Sequence, residues 1–162
     1  MSKSQLHLLC GKMASGKSTL ADRIREEHAA TLLSEDALLS VLYPGEVHDP
    51  ASYAVRAERI HAALRPLLVS LLKFGVYIVL DFPANTRKQR AQLLGIAREA
   101  DVDHVLHYIE CSDETCKERL TRRAVAQPER RATDTLEMFE AITRYFEPPS
   151  EDEGLNIVRI VR

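Results

Sequence analysis

The chain has 162 residues, 45% of them hydrophobic and 28% charged, with a formal net charge of −2 at pH 7. That length and composition suit one globular domain, residues 1–162, which can bury a full core without staples. The charge excludes a global basic field for nucleic acid, leaving only a local basic patch possible. The odd count and scattered spacing of Cys10, Cys111 and Cys116 exclude a disulfide framework and fit a reducing compartment.

The opening "MSKSQLHLLCG" is too short and too polar for a signal peptide. Residues 5–10 read as a short apolar strand. Residues 17–29 carry Leu20, Ile24 and alanines at helical spacing, and "TLLS" (31–34) is a second strand. Asp36 is an N-cap or first-turn acid for the helix of "ALLSVLY", which Pro44-Gly45 ends. Residues 50–74 fit a long helix, with Pro66 as a kink or break. The most apolar stretch, residues 67–80, is split by Lys73 and Gly75 and falls short of the roughly 20 residues that span a membrane. No membrane segment is expected, and the chain is expected in the cytoplasm. "VYIVLD" (76–81) reads as a central buried strand. Residues 86–100 are helical, 104–111 a strand, and Asp113 caps a helix to about Ala124. Residues 124–133 form a polar loop, Thr133 or Asp134 starts a helix to about Phe146, "PPSEDEG" is a turn, and "LNIVRIV" is the last strand. Strands alternating with helices predict an α/β fold, a parallel sheet covered on both faces. Ligands in such sheets lie beyond the C-terminal strand ends, where residues 11–18, Asp36 and Asp81 all fall.

"GKMASGKS" matches G-x-x-x-x-G-K-[ST] at Gly11, Gly16, Lys17 and Ser18. Glycines let the backbone wrap an anion, and successive amides with the following helix N-terminus point at phosphate oxygens. Lys17 is expected to reach the β- and γ-phosphates and Ser18 to ligate Mg²⁺. Lys12, Met13, Ala14, Ser15 and Thr19 complete the expected nucleotide-binding stretch; Lys12 and Ser15 occupy its variable positions, and a surface role suffices for Lys12. Cys10 reads as a small buried residue.

Phosphoryl transfer needs phosphate clamps, a metal, and a group that orients the nucleophile. Asp81, ending its strand, is placed to hold Mg²⁺ directly or through water, or to cap a turn. Asp36 is placed to accept a proton from an attacking hydroxyl, and Glu35 is a neighbouring alternative. Lys117, Arg119, Arg122, Arg123, Arg130 and Arg131 crowd residues 117–131; such arginines stack on a base, neutralise a phosphate, or form a solvated face. Arg56, Arg59, Arg87, Lys88 and Arg90 either touch an acidic substrate or keep helices soluble. His48, His61, His104 and His107 show no metal-ligand spacing, and Cys111 and Cys116 read as structural.

Strand–"GKMASGKST"–helix, then "LLSEDALL", "VYIVLDFPANTRKQR" and "CSDETCKERLTRR", in that order, resembles small P-loop kinases. The group includes polynucleotide 5′-hydroxyl kinases, chloramphenicol phosphotransferase, zeta toxins and compact AAA-type ATP-binding domains. The resemblance implies a three-layer P-loop NTPase fold, with a five-stranded parallel sheet, the first strand in its middle, helices on both faces and a small lid at about 120–133. It implies ATP with Mg²⁺, Asp36 as general base, Arg119 and Arg123 covering the nucleotide, and residues 148–154 beside the adenine. Polynucleotide kinases carry an Arg three residues after the base acid to hold substrate phosphate. Here Leu39 stands there, which points to a less anionic acceptor.

The expected function is transfer of the γ-phosphate of ATP to a hydroxyl of an unidentified small molecule or nucleic-acid end, by Lys17, Asp36 and Arg123 as catalytic residues. Nucleic acid is possible as a partner but not favoured, no membrane is expected, and the chain is expected to be a monomer or weak homodimer. The alternative is an ATP-binding switch or slow ATPase acting through a protein partner.

Overall fold

The structure, a computed structural model, describes residues 4–131 and 133–162. Residues 1–3, the start of the polar N-terminus, and Ala132, inside the expected lid, lie outside the described residues. The elements follow the expected order: β1 (Gln5–Cys10), α1 (Lys17–His28), β2 (Thr31–Ser34), α2 (Glu35–Leu42), α3 (Pro50–Lys73), β3 (Ile78–Asp81), α4 (Arg87–Ala100), β4 (Asp103–Glu110), α5 (Asp113–Ala126), α6 (Leu136–Thr143) and β5 (Ile157–Val161). The strands form one parallel sheet in the order β2-β3-β1-β4-β5, which puts β1 in the middle as expected.

The period-2 alternation of strands builds two cores. Leu6, Leu8 and Cys10 of β1 join Ile78, Leu80 and Leu106 under α3 and α4, where Leu68, Leu72, Leu93 and Ala97 meet them. Leu9, Val79 and Ile109 face the other way, onto Leu20, Ala21 and Ile24 of α1. A third, smaller cluster joins Cys116 and Leu120 of α5 to Phe139 of α6, with Met13 and Ala14 against it. Among the described residues no helix is long and apolar enough to cross a membrane.

Four local expectations are corrected. Helix α3 runs through Pro66 without a break; Ala57 and Ile60 before it and Leu68, Val69 and Leu72 after it are buried, and that packing outweighs a lost hydrogen bond. Ser112, not Asp113, caps α5, its side chain accepting from the Thr115 amide. Helix α6 starts two or three residues later than expected, capped by Thr135, because Asp134 is drawn into a buried ion pair, and it ends at Thr143, short of Phe146. The turn at residues 148–154 contains a 3-10 helix, Glu151–Glu153.

That short helix is fastened by Arg90, which is fully buried rather than free for a substrate or solvent. Its Nε and Nη2 donate to Glu153 at 2.7 and 2.9 Å, and its Nη1 to the carbonyls of Ala84 and Glu147 at 3.1 and 2.8 Å. Removing one partner of such a pair leaves an uncompensated buried charge. Glu153→Gln should therefore cost about 3–5 kcal/mol, read as a fall of roughly 10 °C in the thermal midpoint.

On the α1 side, His7 is 2% exposed. Its Nδ1 lies 3.0 Å from His107 Nε2, and its own Nε2 is buried without a partner. Burial first, then the His107 and His28 charges, pushes His7 down to about 4. The unfolded chain takes up this proton near pH 6.5, so it binds more protons than the folded chain between pH 6.5 and 4. Stability is thus complete above that window and falls as pH drops through it, by roughly 3 kcal/mol from this group at the bottom. Urea midpoints at pH 7.5 and pH 5 should differ accordingly, and His7→Leu should reduce the difference.

Candidate active site

Strand β1 delivers the chain to Gly11 at the centre of the sheet's C-terminal edge. A Cβ at Gly11 would stand 2.6 Å from Ser15 Oγ and 3.3 Å from the Ile109 carbonyl, so the turn closes only on glycine. Ala14 (φ 58°) and Gly16 (φ 104°) then take left-handed backbone, which bends residues 11–16 into a cup. Gly16 leads directly into α1, which has no side-chain cap and no acid in its first turn. Uncapped amides at a helix start attract an anion.

Lys17 sits in the cup. Its Nζ donates to the carbonyls of Gly11 at 2.6 Å and Lys12 at 2.9 Å. Burial pushes its pKa below the usual lysine value, opposed chiefly by Asp81. One residue on, Ser18 Oγ donates to Asp81 Oδ2 at 2.9 Å, so the two residues expected to hold the metal, 63 apart in sequence, stand together. The pair offers hard oxygens at the mouth of the cup. That donor set fits Mg²⁺, which takes one or two carboxylates and completes its shell with water and phosphate. Among the described residues no group of three or more His, Cys, Asp or Glu forms a metal cage.

Asp36 occupies the first turn of α2, where Ser34 is the cap. The residue is exposed. The surrounding protein, then Glu35 and Asp81, pushes its pKa up, against Arg130 and Lys17. Arg119 reaches the loop, its Nη1 donating to the Ser15 carbonyl at 3.2 Å. Arg123 does not: its Nε and Nη2 donate to Asp134 at 2.5 and 3.0 Å, and Arg130 joins the same carboxylate at 3.0 Å. Lys12 pairs with Asp113 at 2.5 Å and lies over the Phe146 ring. Thr19 is exposed, and Met13 and Ala14 pack on the third core cluster. The Cys10 thiol, pushed up to about 11 mainly by burial, is no nucleophile.

A hollow of about 330 Å³ opens beside the loop, lined by Lys12, Tyr108, Cys111, Phe146 and Arg162 among others. The expected base-side segment 148–154 does not line it. A wider hollow of about 950 Å³ lies on the outer face of α5, with none of residues 11–18 in its lining. The basic residues offered to an acidic substrate are partly engaged elsewhere: Arg56 on Glu46 at 2.9 Å, and Arg87 on Asp152 at 2.9 Å.

Two contributors carry no sequence signal. Asn85 Oδ1 accepts the Gly11 amide at 3.1 Å across 74 residues, while the Asn85 amide donates to Gln89 Oε1. Asp134, which reads as a helix start after the polar loop, has a side chain only 2% exposed and gathers two arginines. Asn85 sits in a segment that carries the resemblance, but nothing in it marks that side chain as a partner of the loop, and only the folded chain brings either residue in.

A family model described as AAA domain matches residues 6–149. No curated protein matches the chain. Among solved structures, a candidate kinase from Chloroflexus aurantiacus J-10-fl is similar at 19% identity and TM-score 0.73, over 99% of this chain and 86% of that one. The APS kinase CysC of Mycobacterium tuberculosis, in complex with AMPPNP and APS, is similar at 16% identity and TM-score 0.63, over 99% and 90%. Kti12 of Chaetomium thermophilum, in complex with ADP-AlF3, is similar at 18% identity and TM-score 0.66, over 95% and 88%. At these identities the likeness is one of fold.

The cup yields a stability test. Ser15 Oγ is buried without a partner, so Ser15→Ala should leave stability unchanged or raise it by up to about 1 kcal/mol. Gly11→Ala should lower the thermal midpoint, and adding Ser15→Ala should recover part of the loss by removing the nearest clashing atom.

Proposed function

The chain belongs to the AAA domain family, and from that premise we propose that it is an ATP-dependent phosphotransferase moving the γ-phosphate to an acceptor hydroxyl. The observation that carries the reading is the convergence of Lys17, Ser18 and Asp81 at the glycine turn between β1 and α1. The structural neighbours with AMPPNP and with ADP-AlF3 support a nucleotide in that cup.

On this reading the triphosphate is held by loop and helix-start amides other than those of Gly11 and Ser15, which donate to Asn85 and to the Lys12 carbonyl, and Lys17 exchanges its loop carbonyls for β- and γ-phosphate oxygens. Bound Mg²⁺ would offset phosphate charge, and Ser18 and Asp81 are the residues that would hold it, directly or through water. Asp36 orients the acceptor hydroxyl and takes its proton; a carboxylate with raised proton affinity is a better base at neutral pH than an ordinary one. Arg119, already on the loop, balances charge. Arg123 serves the same end through Asp134 or on release from it, within a lid at about 120–133. A second reading, an ATP-binding switch or slow ATPase, is favoured by exposed Val125, Leu136, Met138 and Ile142 on α5 and α6, a surface suited to a protein partner.

One screen tests both. Labelled γ-phosphate of ATP is followed into 5′-hydroxyl oligonucleotides, nucleosides, sugars and amino-sugar or amphenicol alcohols. Transfer to one acceptor class is expected, abolished by Lys17→Ala and lowered roughly 10²- to 10⁴-fold by Asp36→Asn with ATP binding retained. Label found only as free phosphate, with Asp36→Asn indifferent, would sink the phosphotransferase reading in favour of the second.

A further inference from the structure

Asp36 and Asp81 act together on the proposed reading, yet they stand on different segments: Asp36 on the first turn of α2, Asp81 at the end of β3. The sheet aligns Ser34 with Asp81, but that register does not by itself fix the helical turn beyond it. A side-chain bridge does. Glu35, immediately before Asp36, is 1% exposed. Its carboxylate accepts the Tyr53 hydroxyl and lies 2.6 Å from His61 Nε2. The His61 ring in turn stacks on Phe82, immediately after Asp81, with centroids 5.0 Å apart and planes 23° from parallel. The circuit Asp36–Glu35–His61–Phe82–Asp81 is closed on its other side by the β2–β3 ladder.

Stability alone does not call for this chemistry. Ser34 already caps α2, and a buried acid with its partners packs no better than apolar groups of the same volume. What the polar bridge adds is a direction: hydrogen bonds fix the first turn of α2 against α3, and the ring stack fixes α3 against the end of β3. Tyr53 and His61, two turns apart on α3, hold the Glu35 carboxylate from two sides, so the turn can neither rotate nor slide. The groups facing Asp36 are Glu35, Tyr53 of α3, Asp81 of β3, Lys17 of α1 and Arg130.

We infer that Glu35 and His61 are positioning residues whose bridge sets the spacing between Asp36 and Asp81, and so between acceptor hydroxyl and γ-phosphate. The inference rests on the phosphotransfer reading. A misplacement near 1 Å at such a site costs on the order of a hundredfold in rate.

The test measures ADP formation from ATP and Mg²⁺ in the presence of the acceptor class that the screen labels, beside thermal midpoint and affinity for a fluorescent ATP analogue. Glu35→Gln keeps the shape of the side chain. His61→Leu alone strands a buried carboxylate and can unfold the chain, so the double variant Glu35→Gln/His61→Leu, which removes the charge with its partner, carries the test. Expected is a folded double variant with a KM for ATP within about twofold of wild type and a kcat at least roughly tenfold lower. A folded double variant with kcat and KM both unchanged overturns the inference and leaves the phosphotransfer reading intact, as does a raised KM at unchanged kcat. No ADP formation by the wild-type chain with any acceptor of that screen overturns both.

Discussion

An ammonium group held against two backbone carbonyls is the interaction around which the molecule is arranged. Lys17 donates to the carbonyls of Gly11 and Lys12, and so gathers the loop's first two acceptors on one cation. The charge is enclosed by protein and has no carboxylate in direct contact, so its burial is a standing cost offset by carbonyl dipoles and the field of Asp81. Such a cation gains from any anion that replaces the carbonyls. The geometry works only because the loop starts from a strand that cannot shift: β1 is ladder-bonded on both edges and buried on both faces.

Buried polar groups elsewhere do similar work on a longer scale. Arg90 ties the start of α4 to the chain before β5, Asn85 ties the same helix start to the first residue of the cup, and Glu35 ties α2 to α3. Each joins segments far apart in sequence at the C-terminal edge of the sheet, while the apolar clusters fill the layers. Apolar packing tolerates small displacements; hydrogen bonds in a dry interior do not. The division places freedom in the layers and exactness of position at the edge.

Much of this was legible in the sequence, for identifiable reasons. The 11–18 spacing is a local code, read without knowledge of the fold. The alternation of strands and helices predicts a parallel sheet because hydrophobic period and turn chemistry agree segment by segment. Even the meeting of Ser18 with Asp81 is foreshadowed, since the 11–18 motif and Asp81 both fall at the C-terminal edge of the sheet. What stayed illegible is non-local. Arg90 looks like any surface residue of a basic helix until Glu153 arrives from 63 residues away. Asp134 reads as a helix start, and its true partners are two arginines of a region that looks solvated. His61 fails every ligand-spacing rule, because its partners are a carboxylate and an aromatic ring on other elements. Pro66 misleads in the opposite sense: a strong local rule yields to packing on both sides.

The placement of β1 in the middle of the sheet bears on how the chain is made. Leu6 pairs with Ile78 on one side and His104 on the other, so this strand, made before the others of its sheet, must wait for about 70 further residues before its first edge is covered. At synthesis rates of about 5–20 residues per second, that wait is on the order of 4 to 15 seconds, followed by a further interval before β4 closes the second edge. Throughout it, "LHLLC" is an apolar strand with two open edges, the kind of segment that chaperones and aggregates compete for. The centrality that makes β1 the firmest part of the finished protein makes it the most vulnerable part of the nascent one.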